Sequence, residues 1–190
     1  DHSMNASKSP DGVGPTLLSA GVLSISLLGD ILIYVILPVN AELFGVTLFW
    51  VGVLLAANRL IRIFTYGPIA ALAERIGPRN LAIAAAIAAA FSTLGYGFGI
   101  GWPVLLAARL TWGLCFAALT LVIFAYAVSD KSKAGARVGF SRAIMNICPT
   151  LALFLGPLAA VAIGPKDIFI YLGLISMLAV PLAVLLPQEG

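Results

Sequence analysis

The sequence predicts an all-α, polytopic membrane protein with six transmembrane helices. Hydrophobic residues make up 61% of the 190-residue chain and charged residues only 10%, whereas soluble domains usually contain about 45–50% apolar and about 25% charged residues. This apolar share exceeds what one water-soluble core would bury, so the outer surface is expected to face the lipid bilayer. The formal charge of +3 is small. The basic residues are not gathered in one patch, so nucleic acid is not an expected partner.

Six apolar runs of about 20 residues or more supply the expected spans. An α-helix rises 1.5 Å per residue and needs about 20 residues to cross a hydrocarbon core of about 30 Å. The six-helix domain is expected over residues 15–190. It follows a disordered cytoplasmic tail, 1–14, in which the residues before Met4 are expected to be additions to the natural chain. The runs cover about 16–38, 46–73, 81–100, 103–128, 140–163 and 168–187.

The segments between the runs differ in charge. Seven basic residues belong to the side of the membrane that holds the amino terminus, and only Lys166 belongs to the other side. Basic loops stay in the cytoplasm. Both termini are therefore expected to be cytoplasmic, in a multi-pass protein of the cell membrane, which in a bacterium is the inner membrane. The seven are Lys8, Arg75, Arg79, Lys131, Lys133, Arg137 and Arg142.

The composition argues against an enzyme. Cys115 and Cys148 fall inside apolar runs without Cys-x-x-Cys spacing, and are expected to be buried thiols. His2 lies in the polar tail. The spans contain no nucleophile–base pair that spacing supports, no metal-ligand cluster and no phosphate-binding loop. No catalytic residue, metal or other cofactor is therefore expected.

Four ionisable residues lie deep inside the runs. Each would cost roughly 2.5–3.5 kcal/mol at the centre of a lipid-facing helix. These residues are therefore expected to face the bundle interior or a water-filled cavity. They are Asp30, Arg59, Arg62 and Arg109.

Asp30 and Arg109 are predicted to pair. Asp30 lies eight residues before Pro38 and Arg109 six residues after Pro103, so the two lie about 12 Å and about 9 Å below the same membrane surface. Protonation of Asp30 would release the arginine for another anion, which suits proton coupling. A static structural ion pair is the alternative interpretation.

Arg59 and Arg62 share one helix face with Leu55 and Tyr66, because their spacing follows the helical period. Three arginines in the spans against one acid leave an excess of about two positive charges. An anionic solute, carboxylates of a partner protein or water in an open cavity would compensate this charge.

Other polar residues follow helical spacing and outline a central pathway. Tyr34 lies one turn after Asp30, and Arg142, Asn146 and Thr150 are spaced four residues apart. Hydrogen bonding between helices without transport is the alternative explanation. The residues expected to line a substrate cavity are Arg59, Arg62, Tyr34, Asn146 and Arg142.

Three motifs carry a resemblance to the major facilitator superfamily of transporters. Glu74, Arg75, Gly77 and Arg79 lie between the second and third runs in the order of that family's loop motif. In the fourth run, Arg109-Leu110-Thr111-Trp112-Gly113 resembles an Arg-x-x-x-Gly element linked in the family to proton transfer. In the fifth run, Leu155-Gly156-Pro157-Leu158-Ala159 resembles a Gly-Pro element found in drug–proton antiporters.

The resemblance implies the amino-terminal six-helix half of such a transporter, built as a 3+3 repeat. It implies an inner gate in which the loop bases pair with Asp130 and the loop acid meets a helix of the second half. Pro157 lacks a backbone donor, so a helix kink is expected at Gly156 and Pro157. The residues of the implied gate are Glu74, Arg75, Gly77, Arg79 and Asp130.

A complete transporter of this family has two such halves with the substrate held between them. The chain is therefore expected to be an excised half, to pair with a separate second half, or to form a homodimer. The expected function is proton-coupled, alternating-access transport of a small organic solute, with anionic solutes among the candidates, by symport or antiport. A membrane scaffold or assembly subunit that retains the fold without transporting is the alternative.

Overall fold

The computed structural model describes residues 13–128 and 134–188, and in these ranges the chain is helical and contains no strand. The expectations for residues 1–12, Lys131, Lys133 and Asp130 lie outside the described residues. The helices are α1 (Val13–Ser26), α2 (Leu28–Ile36), α3 (Leu48–Ile76), α4 (Pro78–Phe98), α5 (Trp102–Ala127), α6 (Ala134–Met145), α7 (Ile147–Ile163), α8 (Ile168–Ser176) and α9 (Ala179–Val184).

Five apolar segments are long enough to cross a membrane, by length and composition, and they coincide with five of the six predicted runs. Two of them combine consecutive helices, α1 with α2 and α6 with α7. The sixth run forms a shorter apolar segment, Ile168–Val184, which is interrupted between α8 and α9. The five are Gly14–Ile36, Leu48–Ile76, Pro78–Phe98, Trp102–Ala127 and Gly135–Ile163.

A single residue separates α3 from α4. Gly77 has a φ of +84°, a backbone conformation that glycine adopts without steric penalty. Pro78 occupies the first turn of α4, where its missing N–H is not needed. A loop was expected at residues 74–80. This expectation is wrong, because the charged residues there belong to the ends of two helices. We call this end of the bundle the Gly77 end.

The opposite end, which we call the Lys166 end, is fastened by contacts between connecting segments. The Gly101 N–H donates to the Phe44 carbonyl at 2.8 Å. Lys166 Nζ donates to the carbonyl of Tyr96 at 3.0 Å and also to that of Gly99. Cations at a helix C-terminus compensate its exposed carbonyls, so Lys166 holds the end of α4 against the start of α8.

Helix α5 is the centre of the bundle, because it packs extensively against both α3 and α4 and also contacts α1. Small residues permit these close approaches. A Cβ atom at Gly113 of α5 would lie 2.6 Å from the Asn58 carbonyl oxygen of α3. Gly97 likewise admits the backbone of Ile170 to α4. Backbones approach closely at small residues when packing, rather than apolar burial, drives association in lipid.

Two spans are left largely uncovered. Only 22% of the apolar window of α3, and of that of the α6–α7 segment, is buried inside the chain, against 56–61% for the other three spans. Phe64 on α3 and Val161 on α7 are 76% and 89% exposed. The bundle therefore presents two open helix faces, which we call the α3 face and the α6–α7 face.

Candidate functional site

The guanidinium of Arg109 lies at the centre of a polar cluster that joins four helices. Its side chain is 1% exposed and donates from Nη1 to Asp30 Oδ1 at 2.7 Å. The partners come from α2, α3 and α4, and we call this cluster the Arg109 site. The ion pair predicted from the sequence is therefore present.

Arg109 is fully supplied with acceptors. A guanidinium has five N–H donors, and six protein oxygen atoms lie within hydrogen-bond distance of them. Loss of the Asp30 charge would leave five neutral acceptors in place, so Arg109 would stay bound by the protein rather than become free for a solute. Besides Asp30 Oδ1, the acceptors are Leu54 O at 3.0 Å, Tyr96 Oη at 3.2 Å, Tyr34 Oη at 3.1 Å, Leu55 O at 3.4 Å and Asn58 Oδ1 at 2.6 Å.

Asp30 is the more exposed member of the ion pair at the Arg109 site. Its side chain is 14% exposed, while that of Arg109 is 1% exposed. Only Oδ1 accepts a bond from the described residues, which leaves Oδ2 without a protein donor there. A carboxylate with one paired and one open oxygen can take up a proton from the open side without rearranging its partner.

Two residues of the Arg109 site were not among those that the sequence indicated. Asn58 is 1% exposed and makes the shortest of the bonds to Arg109, at 2.6 Å. Tyr96 is also 1% exposed, and its hydroxyl lies between Arg109 and Ser92. A neutral amide one residue before Arg59, inside an apolar run, is the signal that could have identified Asn58.

Tyr34 connects the Arg109 site to the α3 face. Its hydroxyl donates to the Leu55 carbonyl at 2.9 Å, and two cations lie near its ring. The Cζ atoms of Arg109 and Arg59 are 5.1 Å and 5.5 Å from the ring centroid. Cations are attracted to an aromatic ring at such distances.

Of the three arginines in the spans, only Arg109 is buried in the bundle interior, so the other two would have to face a water-filled cavity. Arg59 is exposed and Arg62 half-buried on the α3 face. Arg62 stays close to the protein surface, because Nε donates to the Asn58 carbonyl at 3.2 Å and Cζ lies 4.2 Å from the centroid of the Phe116 ring. The helical period placed both arginines on one face but did not reveal that the face is open.

Arg142 and Asn146 lie on the α6–α7 face, apart from the Arg109 site. Both are exposed. Asn146 Nδ2 donates to the Arg142 carbonyl at 2.7 Å, while the Arg142 guanidinium makes no hydrogen bond or ion pair to the described residues. Of the five residues expected to line a substrate cavity, four thus lie on the two open faces, and Tyr34 lies at the Arg109 site.

The residues of the expected inner gate surround the Gly77 end. Glu74 and Arg75 are exposed at the end of α3. Arg79 is half-buried, and its Nε is shielded from solvent without a hydrogen-bond partner in the described chain. The partner that the resemblance implies, Asp130, lies outside the described residues, so the gate stays a prediction.

Gly156 and Pro157 lie within α7, which continues without interruption from Ile147 to Ile163. Gly156 packs on Leu32 of α2, where a Cβ atom would collide with the leucine side chain. The pair therefore sets the close approach of α7 to α2, and the kink stays a prediction.

The described residues hold no group of three or more His, Cys, Asp or Glu side chains that could bind a metal ion. A family model described as Major Facilitator Superfamily matches residues 20–189. No curated protein and no solved structure matched the chain.

Proposed function

The chain belongs to the Major Facilitator Superfamily, because the family model covers residues 20–189 of its 190 residues, and from that premise we propose that it is the amino-terminal half of a proton-coupled transporter for a small organic solute. Members of this family are membrane transporters. The coupling, the solute and the second half are our proposals.

The single observation that supports proton coupling is the unequal exposure of the Asp30–Arg109 pair. The carboxylate is 14% exposed, while the guanidinium is 1% exposed and held by five further oxygen acceptors. Protonation would neutralise Asp30 and weaken its bond to Arg109. The tie between α2 and α5 would then depend on the neutral Tyr34 hydroxyl, while Arg109 stays fixed to α3 and α4.

Alternating access follows if that tie differs between the two states of the transporter. The proton bound on Asp30 changes which arrangement of α2 against α5 is favoured, and a ligand shifts a two-state equilibrium only through such a difference. The proton enters from the open Oδ2 side. In this mechanism Arg109 positions Asp30 and does not itself bind the solute.

The open faces support a second six-helix unit as partner. Exposed Phe64 on the α3 face and Val161 on the α6–α7 face are accompanied by Arg59 and Arg142, cations that are costly to leave in lipid. A second half would cover the apolar residues and enclose the cations in a water-filled pathway. We place the Gly77 end in the cytoplasm, since Arg75 and Arg79 lie there.

Proton movement across a membrane tests the proposal. The chain would be reconstituted together with the second six-helix unit in liposomes containing a pH-sensitive dye, and organic acids, amines and sugars would be added outside in turn. We expect at least one solute to drive a proton flux that Asp30→Asn abolishes. Glu42→Gln removes an equivalent carboxylate from an exposed position in the α2–α3 connection and should leave the flux intact. A solute-driven flux that persists in Asp30→Asn would refute the coupling role.

The scaffold alternative is favoured by one observation, the complete satisfaction of Arg109 by protein acceptors. A purely structural pair would make Asp30→Asn less stable than the wild type without changing any flux. Thermal unfolding of Asp30→Asn and Glu42→Gln, recorded together with the proton flux, separates the transporter from the scaffold.

A further inference from the structure

We propose that the solute is an organic carboxylate with a compact apolar group, held in a cleft between α1, α5 and α6 with its carboxylate on Arg142. This inference rests on the proposed transport function and adds the chemical class of the solute. It comes from a site that is separate from the Arg109 site and that the coupling mechanism leaves unused.

The cleft lies nearer the Gly77 end than the Arg109 site does. Phe116, in its wall, follows Arg109 by seven residues on α5, which is about 10 Å along the helix axis. Leu23 of α1, Ile123 of α5 and Met145 of α6 supply further apolar wall, and Arg142 contributes to the lining. The apolar walls and one charged member are the usual composition of a small-molecule site.

The cleft volume limits the size of the apolar group. It measures about 220 Å³, whereas an apolar cavity of about 150 Å³ holds a benzene molecule. A phenyl ring or a branched aliphatic group with a short linker therefore fits, while a long acyl chain does not. A monosaccharide is of similar size, but it would leave its hydroxyl groups against carbon, at a desolvation cost.

The charge at the cleft selects an anion. The Arg142 guanidinium has no acceptor in the described part of the chain. Arg62 is stacked on the Phe116 ring with its Cζ 4.2 Å from the centroid, so a second cation lies against a residue of the cleft wall. No described acid pairs with either arginine. Guanidinium groups bind carboxylates through paired, charge-assisted hydrogen bonds.

Equilibrium binding of radiolabelled 3-phenylpropionate to the purified full chain in detergent tests the inference. Unlabelled 3-phenylpropionate should displace the label. The uncharged 3-phenylpropionamide and the small acid acetate should compete at least about tenfold more weakly, because one lacks the charge and the other the apolar group. Equal competition by the amide would overturn the proposal, and so would the absence of any saturable binding.

Variants locate the binding in the cleft. Arg142→Gln should weaken binding about tenfold or more, and Arg142→Lys should restore part of the loss, since a charge remains. Val138→Phe should also weaken binding by filling the cleft from α6. Lys8→Gln removes one positive charge outside the spans and serves as the matched control. Unchanged affinity in Arg142→Gln would overturn the proposal.

Binding and coupling can fail separately. The binding assay uses no pH gradient, so a missing phenylpropionate site would leave the Asp30→Asn flux result standing. Conversely, a flux unaffected by Asp30→Asn would leave the anion site intact and remove only the coupling mechanism.

Discussion

Gly113 of α5 lies directly against the backbone of Asn58 in α3, and this contact sets the position of the Asn58 amide beside Arg109. A Cβ atom at position 113 would lie 2.6 Å from the Asn58 carbonyl oxygen and 3.0 Å from its Cα. Those atoms are backbone and cannot move aside as a side-chain end can. The Arg109 site therefore depends on the absence of a single methyl group on α5.

Gly113→Ala is accordingly expected to destabilise the chain by about 1–3 kcal/mol, the usual cost of overpacking a well-packed contact. Thermal unfolding in detergent measures the change. Gly52→Ala is the matched control, because Gly52 is an exposed residue of α3 and a Cβ atom there would have no neighbouring atom within 4 Å. The control should be neutral or stabilising by up to about 1 kcal/mol. Equal effects of the two substitutions would contradict the packing argument.

Asn58→Ala should destabilise the chain by about 1.5–3 kcal/mol, because it removes the acceptor at 2.6 Å from a buried guanidinium. Chemical unfolding of the detergent-solubilised protein measures the loss. Asn146→Ala removes an exposed amide whose only partner among the described residues is the carbonyl of Arg142, so its effect should stay within about 0.5 kcal/mol. A neutral Asn58→Ala would mean that Arg109 finds a replacement acceptor.

The stability of the folded chain is expected to depend on pH through Lys166, at the opposite end of the bundle. Burial lowers the pKa of this lysine from its ordinary value of 10.5, and neighbouring Asp167 opposes the shift. Between the lowered pKa and 10.5 the unfolded chain therefore binds more protons than the folded chain, so this residue makes stability rise with pH there. We expect wild type to gain stability relative to Lys166→Gln as the pH is raised through that window. Unfolding midpoints from neutral to alkaline pH measure the difference, and a gap that is flat or shrinks would contradict the shift.

The Asp30–Arg109 pair was predictable because lipid leaves a charged residue few alternatives. Both residues lie at similar depth below one membrane surface, and an unpaired charge there is expensive. Counting residues at 1.5 Å per residue was enough to place them at one level. The structure adds that the distance is 2.7 Å and that the arginine, rather than the acid, is the more deeply buried member.

The neutral members of the site were not predictable in the same way. Asn58 and Tyr96 each satisfy one donor of Arg109, but an amide or a phenol inside an apolar run does not have to pair with a charge. For Arg59 the helix face was predictable, but the exposure of that face was not. Its spacing fixed the helix face, whereas the direction in which that face points depends on how α3 packs on α5.

The charged residues between the second and third runs indicated a loop where the chain has two helix ends. Charged residues indicate where the chain leaves the hydrocarbon core. They do not indicate whether the backbone is helical there. Arg75 and Asn80 are helical even though both are exposed. Gly77 was the informative residue, since its positive φ is the one non-helical step in this segment.

That one-residue corner has a mechanical consequence. Two helices of 29 and 21 residues meet at a single pair of torsion angles, those of Gly77. A change in the tilt of α3 relative to α4 can be taken up by rotation about those two backbone bonds, close to the Gln188 carbonyl oxygen, which lies 3.3 Å from where a Cβ at position 77 would stand. The uncovered α3 can therefore tilt as a rigid rod without bending α4.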